Sequence, residues 1–285
     1  MSDSLAAPIR ELASGIGFTE GPVWTQRGTL IVVSMSRGLI YEVDPGGAGA
    51  HAAAEPGGGP NGLAEDANEV LWIAQNGARH RPSSSGREAA PGIQSCVNGV
   101  VTEAASGLFV APNDCAVGHD SRVWITDPDG PAFESSDAPG RVWAFDPVSS
   151  ATEMMIEGLA FPNGLAFRGK ELYVAETRRR RILRFRVDEG AVSDPEEFVA
   201  LDNASPDGLA FDAAGSLYIA APDADCVVVV DVDGEVAEKI DLGSGSFPTN
   251  LCFGGDDFCT LYVTAVGGGR VLAIERSVPG MPPLP

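Results

Sequence analysis

The chain has 285 residues, 19 of them basic and 40 acidic, for a net charge of −21. Such acidity repels phosphate backbones and anionic lipid, so nucleic-acid and membrane partners are excluded as expectations. At this length a core needs neither disulfides nor metal to hold it, while 35 glycines and 21 prolines imply many turns.

Met1 to Arg10 has neither a basic start nor a long apolar run, so no signal peptide is expected, and no stretch of 18 apolar residues suggests a membrane span. Cys96, Cys115, Cys226, Cys252 and Cys259 show no C-x-x-C spacing. Five reduced thiols in a cytoplasmic protein is the expected reading.

One short pattern then recurs along the chain: Leu30-Ile31-Val32-Val33, Leu71-Trp72-Ile73-Ala74, Val123-Trp124-Ile125-Thr126, Leu172-Tyr173-Val174-Ala175, Leu217-Tyr218-Ile219-Ala220 and Leu261-Tyr262-Val263-Thr264. These segments are apolar and rich in β-branched and aromatic side chains, which makes them buried strands. Each follows a turn and precedes a second strand-like run, such as Arg141–Phe145 or Arg270–Ile274. A period of about 40–50 residues without amphipathic helices predicts β-propeller blades of four strands. The six repeats predict an all-β, six-bladed propeller, one domain over residues 1–285. The last blade runs out of chain after Ile274, so Ile9 to Ala13 is expected to supply its outer strand and close the ring.

About ten residues before each repeated strand stands a polar anchor: Glu20, Asn61, Asn113, Asn163, Asp207 and Asn250. Each begins the inner strand of its blade, and inner strands line the central channel. Six oxygen-bearing side chains, two carboxylates and four amides, are therefore expected to converge on the axis at one mouth. Hard cations such as Ca²⁺ and Mg²⁺ suit such donors; no His or Cys takes part. Asn-Gly and Asp-Gly also shape turns, which alone would explain a single anchor. It would not explain six in register, nor Glu20, since Glu is no turn former.

The chain resembles the senescence marker protein/gluconolactonase family of six-bladed propellers. The resemblance runs from Phe18-Thr19-Glu20-Gly21-Pro22 through Ala111-Pro112-Asn113-Asp114, Thr126-Asp127-Pro128, Phe161-Pro162-Asn163-Gly164 and Pro206-Asp207-Gly208 to Val278-Pro279-Gly280. It implies hydrolysis of sugar lactones with one divalent cation in the channel: calcium first, with magnesium, manganese or zinc as alternatives. It implies Glu20, Asn163 and Asp207 as metal ligands. Asn113 would contact substrate or water, or ligate the metal as in related organophosphatases. Vertebrate members carry an arginine where this chain has Ala111, and the pattern looks closer to the microbial gluconolactonase branch.

Within that reading Asp207 is the candidate catalytic base, directly or as a ligand orienting water, while Asn113, Asn61 and Asn250 are candidates for substrate binding. No G-x-S-x-G is present, and His51, His80 and His119 read as solvated surface. The loops Asn76 to Ser95 and Asp127 to Gly140 are lid candidates over the mouth. Arg178 to Arg181 reads as a solvated basic rim, with a contact to a substrate carboxylate as the alternative. Two other functions compete: a phosphotriesterase-like hydrolase, and a non-catalytic propeller that binds a protein or other ligand.

Overall fold

The computed structural model describes residues 8–128 and 139–282. Its strands form six separate antiparallel sheets, the blades I to VI. In chain order their inner strands are Thr19–Trp24, Pro60–Glu65, Cys115–Val117, Pro162–Arg168, Leu209–Phe211 and Pro248–Gly254. The recurring apolar pattern forms the second strand of every blade: Leu30–Ser34, Leu71–Gln75, Val123–Asp127, Glu171–Glu176, Leu217–Ala221 and Thr260–Ala265. Blade IV carries one extra short strand, Ala191–Val192.

A blade in a ring is covered on both faces by its neighbours, so its second strand cannot alternate between core and solvent. Leu30–Ser34, Val123–Asp127, Leu217–Ala221 and Thr260–Ala265 are accordingly buried at every position. Outer strands such as Ala50–Ala54 and Val236–Asp241 face water along most of their length. The repeated aromatics Trp124, Tyr173, Tyr218 and Tyr262 lie inside the blade stack as core.

Six apolar clusters hold the ring, each built from two adjacent blades. The cluster between blades VI and I joins Leu12, Tyr262 and Val271 to Leu30, Val32 and Tyr41, so the ring is closed. Ile9–Ala13 pairs with Arg270–Glu275, as expected, in register Ile9↔Ile274. Leu12 is 2% exposed in that cluster. Leu12→Ala is therefore expected to cost about 2–5 kcal/mol, the usual range for emptying such a site. A denaturant midpoint unchanged from wild type would show that the closing strand carries no stability.

Candidate functional site

The anchors sit where the inner-strand ladders are interrupted. Register shifts fall at Glu20/Val23, Pro60/Leu63, Pro162/Leu165 and Pro248/Asn250. A bulge turns a side chain out of the regular alternation, and here it re-aims Glu20, Asn61, Asn163 and Asn250. Asn113 and Asp207 precede their strands but remain tied to the second strand, through Asn113 N–H to Thr126 O (2.8 Å) and Asp207 N–H to Ala220 O (2.9 Å).

Neighbouring anchor turns are latched to one another. Gly62 N–H donates to Asn113 O at 2.7 Å and Gly208 N–H to Thr249 O at 2.9 Å. The hydroxyls of Thr126, Thr177 and Thr249 donate to Asn163 O, Pro206 O and Thr19 O at 2.7–2.8 Å. Such close approach needs glycine: a Cβ on Gly62 would stand 2.1 Å from Asp114 Oδ1, and one on Gly208 2.1 Å from Asn250 Oδ1.

The turns do meet on the axis. Asn250 Nδ2 of blade VI donates to Asp114 Oδ2 of blade III at 3.1 Å, a bond between opposite sides of the ring. Three acids from alternate blades, Glu20, Asp114 and Asp207, feel one another's charge. Burial, and then Asp114, push Glu20 up to about 8, against the Gly21 N–H and the Asn250 and Thr249 side chains. Burial pushes Asp114 up to about 7, opposed by the Cys115 N–H and Asn250. Asp207 is held well above the ordinary carboxylate range by burial, then by Glu20 and Asp114, with Asn163 opposing. As a residue Asp207 is only partly buried, whereas Glu20 is 4% exposed.

Asn61 and Asn76 are buried, and neither the Asn61 Oδ1 nor either amide atom of Asn76 has a hydrogen-bond partner. An orphaned buried polar atom is costly, about 1–3 kcal/mol. Asn113 and Asn163 are also buried. Among the described residues no group of three or more His, Cys, Asp or Glu side chains makes a metal cluster by itself, so an ion here would depend on amide oxygens too. The donor set fits a hard divalent cation: three repelling carboxylates, an unpartnered amide oxygen, and no nitrogen or sulfur.

Sequence reasoning missed two residues of this site. Asp114 left a signal: it stands where blades II, IV and V have Gly62, Gly164 and Gly208 directly after the anchor. Asn76, whose backbone N–H donates to Gly59 O at 3.0 Å beside the Asn61 turn, left none.

Three expectations for the surrounding loops change. His80 is half-buried rather than solvated; its Nε2 donates to Ala111 O at 3.0 Å, and burial lowers its pKa. His119 is half-buried beside Phe167, while His51 is exposed. The loop that starts at Asn76 ends at Pro91, because Gly92–Val97 is the third strand, with Ile93 in the core. It lies packed over the anchor side, with the Arg81 guanidinium 4.5 Å from the Phe18 ring. Of the other lid candidate, residues 129–138 lie outside the described residues. The arginine run is not a plain solvated rim: Arg179 and Arg181 pair with the fully buried Glu176, Arg180 with Asp223, and Arg178 lies over the Phe161 ring at 5.3 Å.

A cavity of about 510 Å³ lies along the inner strands beyond the anchors. Its walls are residues that follow the anchors along the inner strands, among them Leu63, Leu165, Phe167, Phe211 and Phe253. Asp114 and Asn250 reach it from the axial layer, so that layer divides an apolar channel from the mouth.

A six-bladed ring with an acid-and-amide layer across its axis defines the class, and comparison with known proteins gives the family. Residues 18–267 match the model of the SMP-30/gluconolactonase/LRE-like region, and the chain belongs to that family. It is similar to a pentonolactonase, XacC, of Haloferax volcanii, 37% identical over 154 residues, which are 50% of this chain and 52% of the relative. It is also similar to a gluconolactonase of Zymomonas mobilis, 26% identical over 92% of this chain and 80% of the relative. A 6-deoxy-6-sulfogluconolactonase of Pseudomonas putida is 30% identical over 54% of this chain. The chain thus spans only about half the length of the Haloferax and Pseudomonas relatives it matches. Among solved structures the fold is shared with a gluconolactonase of Xanthomonas campestris (TM-score 0.78, 24% identity, 96% of this chain and 90% of that one). It is shared too with the calcium-binding protein regucalcin of Agrobacterium tumefaciens (TM-score 0.81, 19% identity, 97% and 96%).

Proposed function

We propose that the protein is a metal-dependent lactonase that opens a sugar lactone or related small lactone. The observation that carries this reading is the axial layer itself: Glu20, Asp114 and Asp207 drawn together in burial, beside amide groups that lack partners. A scaffold that only bound another protein would gain nothing from repelling acids held in its centre. The family and the sugar-lactone relatives support the substrate class. The calcium-binding structural neighbour supports Ca²⁺ as the first ion to test.

Glu20, Asn163, Asp207 and Asn113 would hold the ion. When bound, a divalent cation supplies positive charge that polarises an ester carbonyl and makes water more acidic. Asp207 accepts a proton as water adds to the lactone carbonyl carbon. It returns that proton to the ring oxygen as the carbon–oxygen bond breaks, leaving the hydroxy acid. Glu20 stays a fixed negative group. Asn113, Asn61 and Asn250 offer amide donors and acceptors to the ring hydroxyls, and a site built for hydroxyls discriminates against substrates that lack them.

The test is kcat/KM for gluconolactone, a non-hydroxylated lactone and a phosphotriester, each with saturating Ca²⁺ and with EDTA. The sugar lactone is expected to lead, and EDTA to remove its turnover. A phosphotriester ahead of both lactones would reverse the assignment. A non-hydroxylated lactone in front would keep the lactonase and discard the sugar.

A further inference from the structure

The last residue of the second strand differs among blades: Ser34, Gln75, Asp127, Glu176, Ala221 and Ala265. In blades II, III and IV it is Gln, Asp or Glu, and all three are 0% exposed. Each accepts a backbone N–H from the segment leading into its own blade's anchor. Gln75 Oε1 accepts from Gly59 at 2.7 Å, and Glu176 Oε1 from Ala160 at 2.7 Å. The Asp127 carboxylate accepts from Ala111 at 2.7 Å and from Val110 at 3.1 Å, and also from Trp143 Nε1 on the third strand at 3.1 Å. These donors stand two or three residues ahead of Asn61, Asn113 and Asn163.

The entry segments need such acceptors because they lie before the inner-strand ladders begin. Blades V and VI have alanine at the position and hold their entries from elsewhere: Asp223 accepts from Ser205 N–H at 2.7 Å, Asp225 from Phe247 N–H at 2.9 Å. Every anchor turn from blade II to blade VI is thus tied down by a side-chain oxygen.

We propose that Asp127 is a positioning residue that fixes the Asn113–Asp114 turn on the axis, and that Gln75 and Glu176 do the same for Asn61 and Asn163. None of the three is taken to touch substrate. The proposal rests on the reading of the anchors as a metal and substrate site. Groups that orient a metal's ligands typically change its affinity about 10–100-fold when removed.

The molecule contains its own control. Asp66, also buried, makes the same kind of cradle, accepting from Asn68 N–H (2.8 Å), Val70 N–H (3.1 Å) and Trp72 Nε1 (2.9 Å). It lies at the far end of its inner strand, in a turn without an anchor. A purely structural role predicts the same consequences for Asp66→Asn and Asp127→Asn.

The experiment compares these two variants of the full chain. It measures thermal stability, Ca²⁺ affinity by calorimetry, kcat and KM for the lactone, and hydrogen exchange of residues 109–117 and 64–72 in the metal-free protein. Both variants should lose similar stability. The amide of Asp127→Asn keeps one oxygen for Ala111 N–H but sets its NH₂ against the Val110 N–H and Trp143 Nε1 donors, so only this variant should weaken Ca²⁺ about 10–100-fold, lower kcat more than it raises KM, and speed exchange at 109–117. Unchanged affinity and exchange in Asp127→Asn, or equal loss of affinity in Asp66→Asn, overturns the proposal. Should Asp127→Asn not fold, Glu176→Gln and Glu176→Leu decide: the glutamine keeps an oxygen for Ala160 N–H and should retain affinity, the leucine should not. Equal affinity in those two overturns it. A wild-type protein that hydrolyses no lactone refutes the proposed activity and leaves positioning to be judged on affinity. If it also binds no Ca²⁺, exchange at 109–117 alone decides.

Discussion

Asp207→Ala should abolish lactone turnover while the propeller remains folded. Asp207 is the least buried residue among the three acids of the axial layer, and it precedes its inner strand rather than packing within it. Its side chain belongs to none of the six apolar clusters. Loss of a general base costs roughly 10²–10⁴ in rate, and loss of a metal ligand adds to that. In metal-free protein the substitution removes repulsion from Glu20 and Asp114, so the melting temperature should hold or rise. Circular dichroism and a lactone assay on the variant read both effects. Substantial turnover by a folded Asp207→Ala protein would place the chemistry elsewhere.

Metal-free protein should lose stability as pH rises from about 4 to about 8. Glu20 is raised to about 8 and Asp114 to about 7 in the fold, from ordinary values of 4.5 and 3.8. Across that interval the folded state holds protons that the unfolded chain has released, so raising the pH favours unfolding. Below the unfolded values both states are protonated; above the folded values both are ionised and the loss is complete. Divalent cation offsets the repulsion, so Ca²⁺ should raise the melting temperature most near pH 8 and little near pH 4. Other carboxylates also titrate, and Asp114→Asn isolates the layer: its metal-free stability should fall less steeply with pH than that of wild type. Parallel melting-temperature curves for the two proteins would contradict this account of the layer.

The blades were legible because a propeller writes its period locally: each second strand must be apolar on both faces, so Leu-Trp-Ile-Ala or Leu-Tyr-Val-Ala recurs wherever a blade is sandwiched. The anchors were legible by register alone. Their bulges were not, nor was the charge coupling of Asp114 with Glu20 and Asp207, because that coupling joins blades far apart in sequence and depends on how the ring closes. Asp114 could be found only as an acid in a glycine's place. His80 read as surface because nothing near it in sequence reveals the Ala111 carbonyl of the next blade. Gln75, Asp127 and Glu176 looked like strand ends, and their bonds to the entry segments follow from the fold alone.

The pairing of Ile9–Ala13 with Arg270–Glu275 sets the order in which the molecule can be completed. During synthesis the closing strand emerges ahead of blade I, but its partner emerges only after blades I to V have been made. Until then the growing protein carries an unpaired strand edge and an uncovered face on blade I, where Leu30, Val32 and Tyr41 await Leu12 and Tyr262. Contacts of such sequence separation form late, since loop-closure entropy is lost before they give anything back. Ring closure is therefore the step at which a nascent chain is most exposed to pairing with another copy.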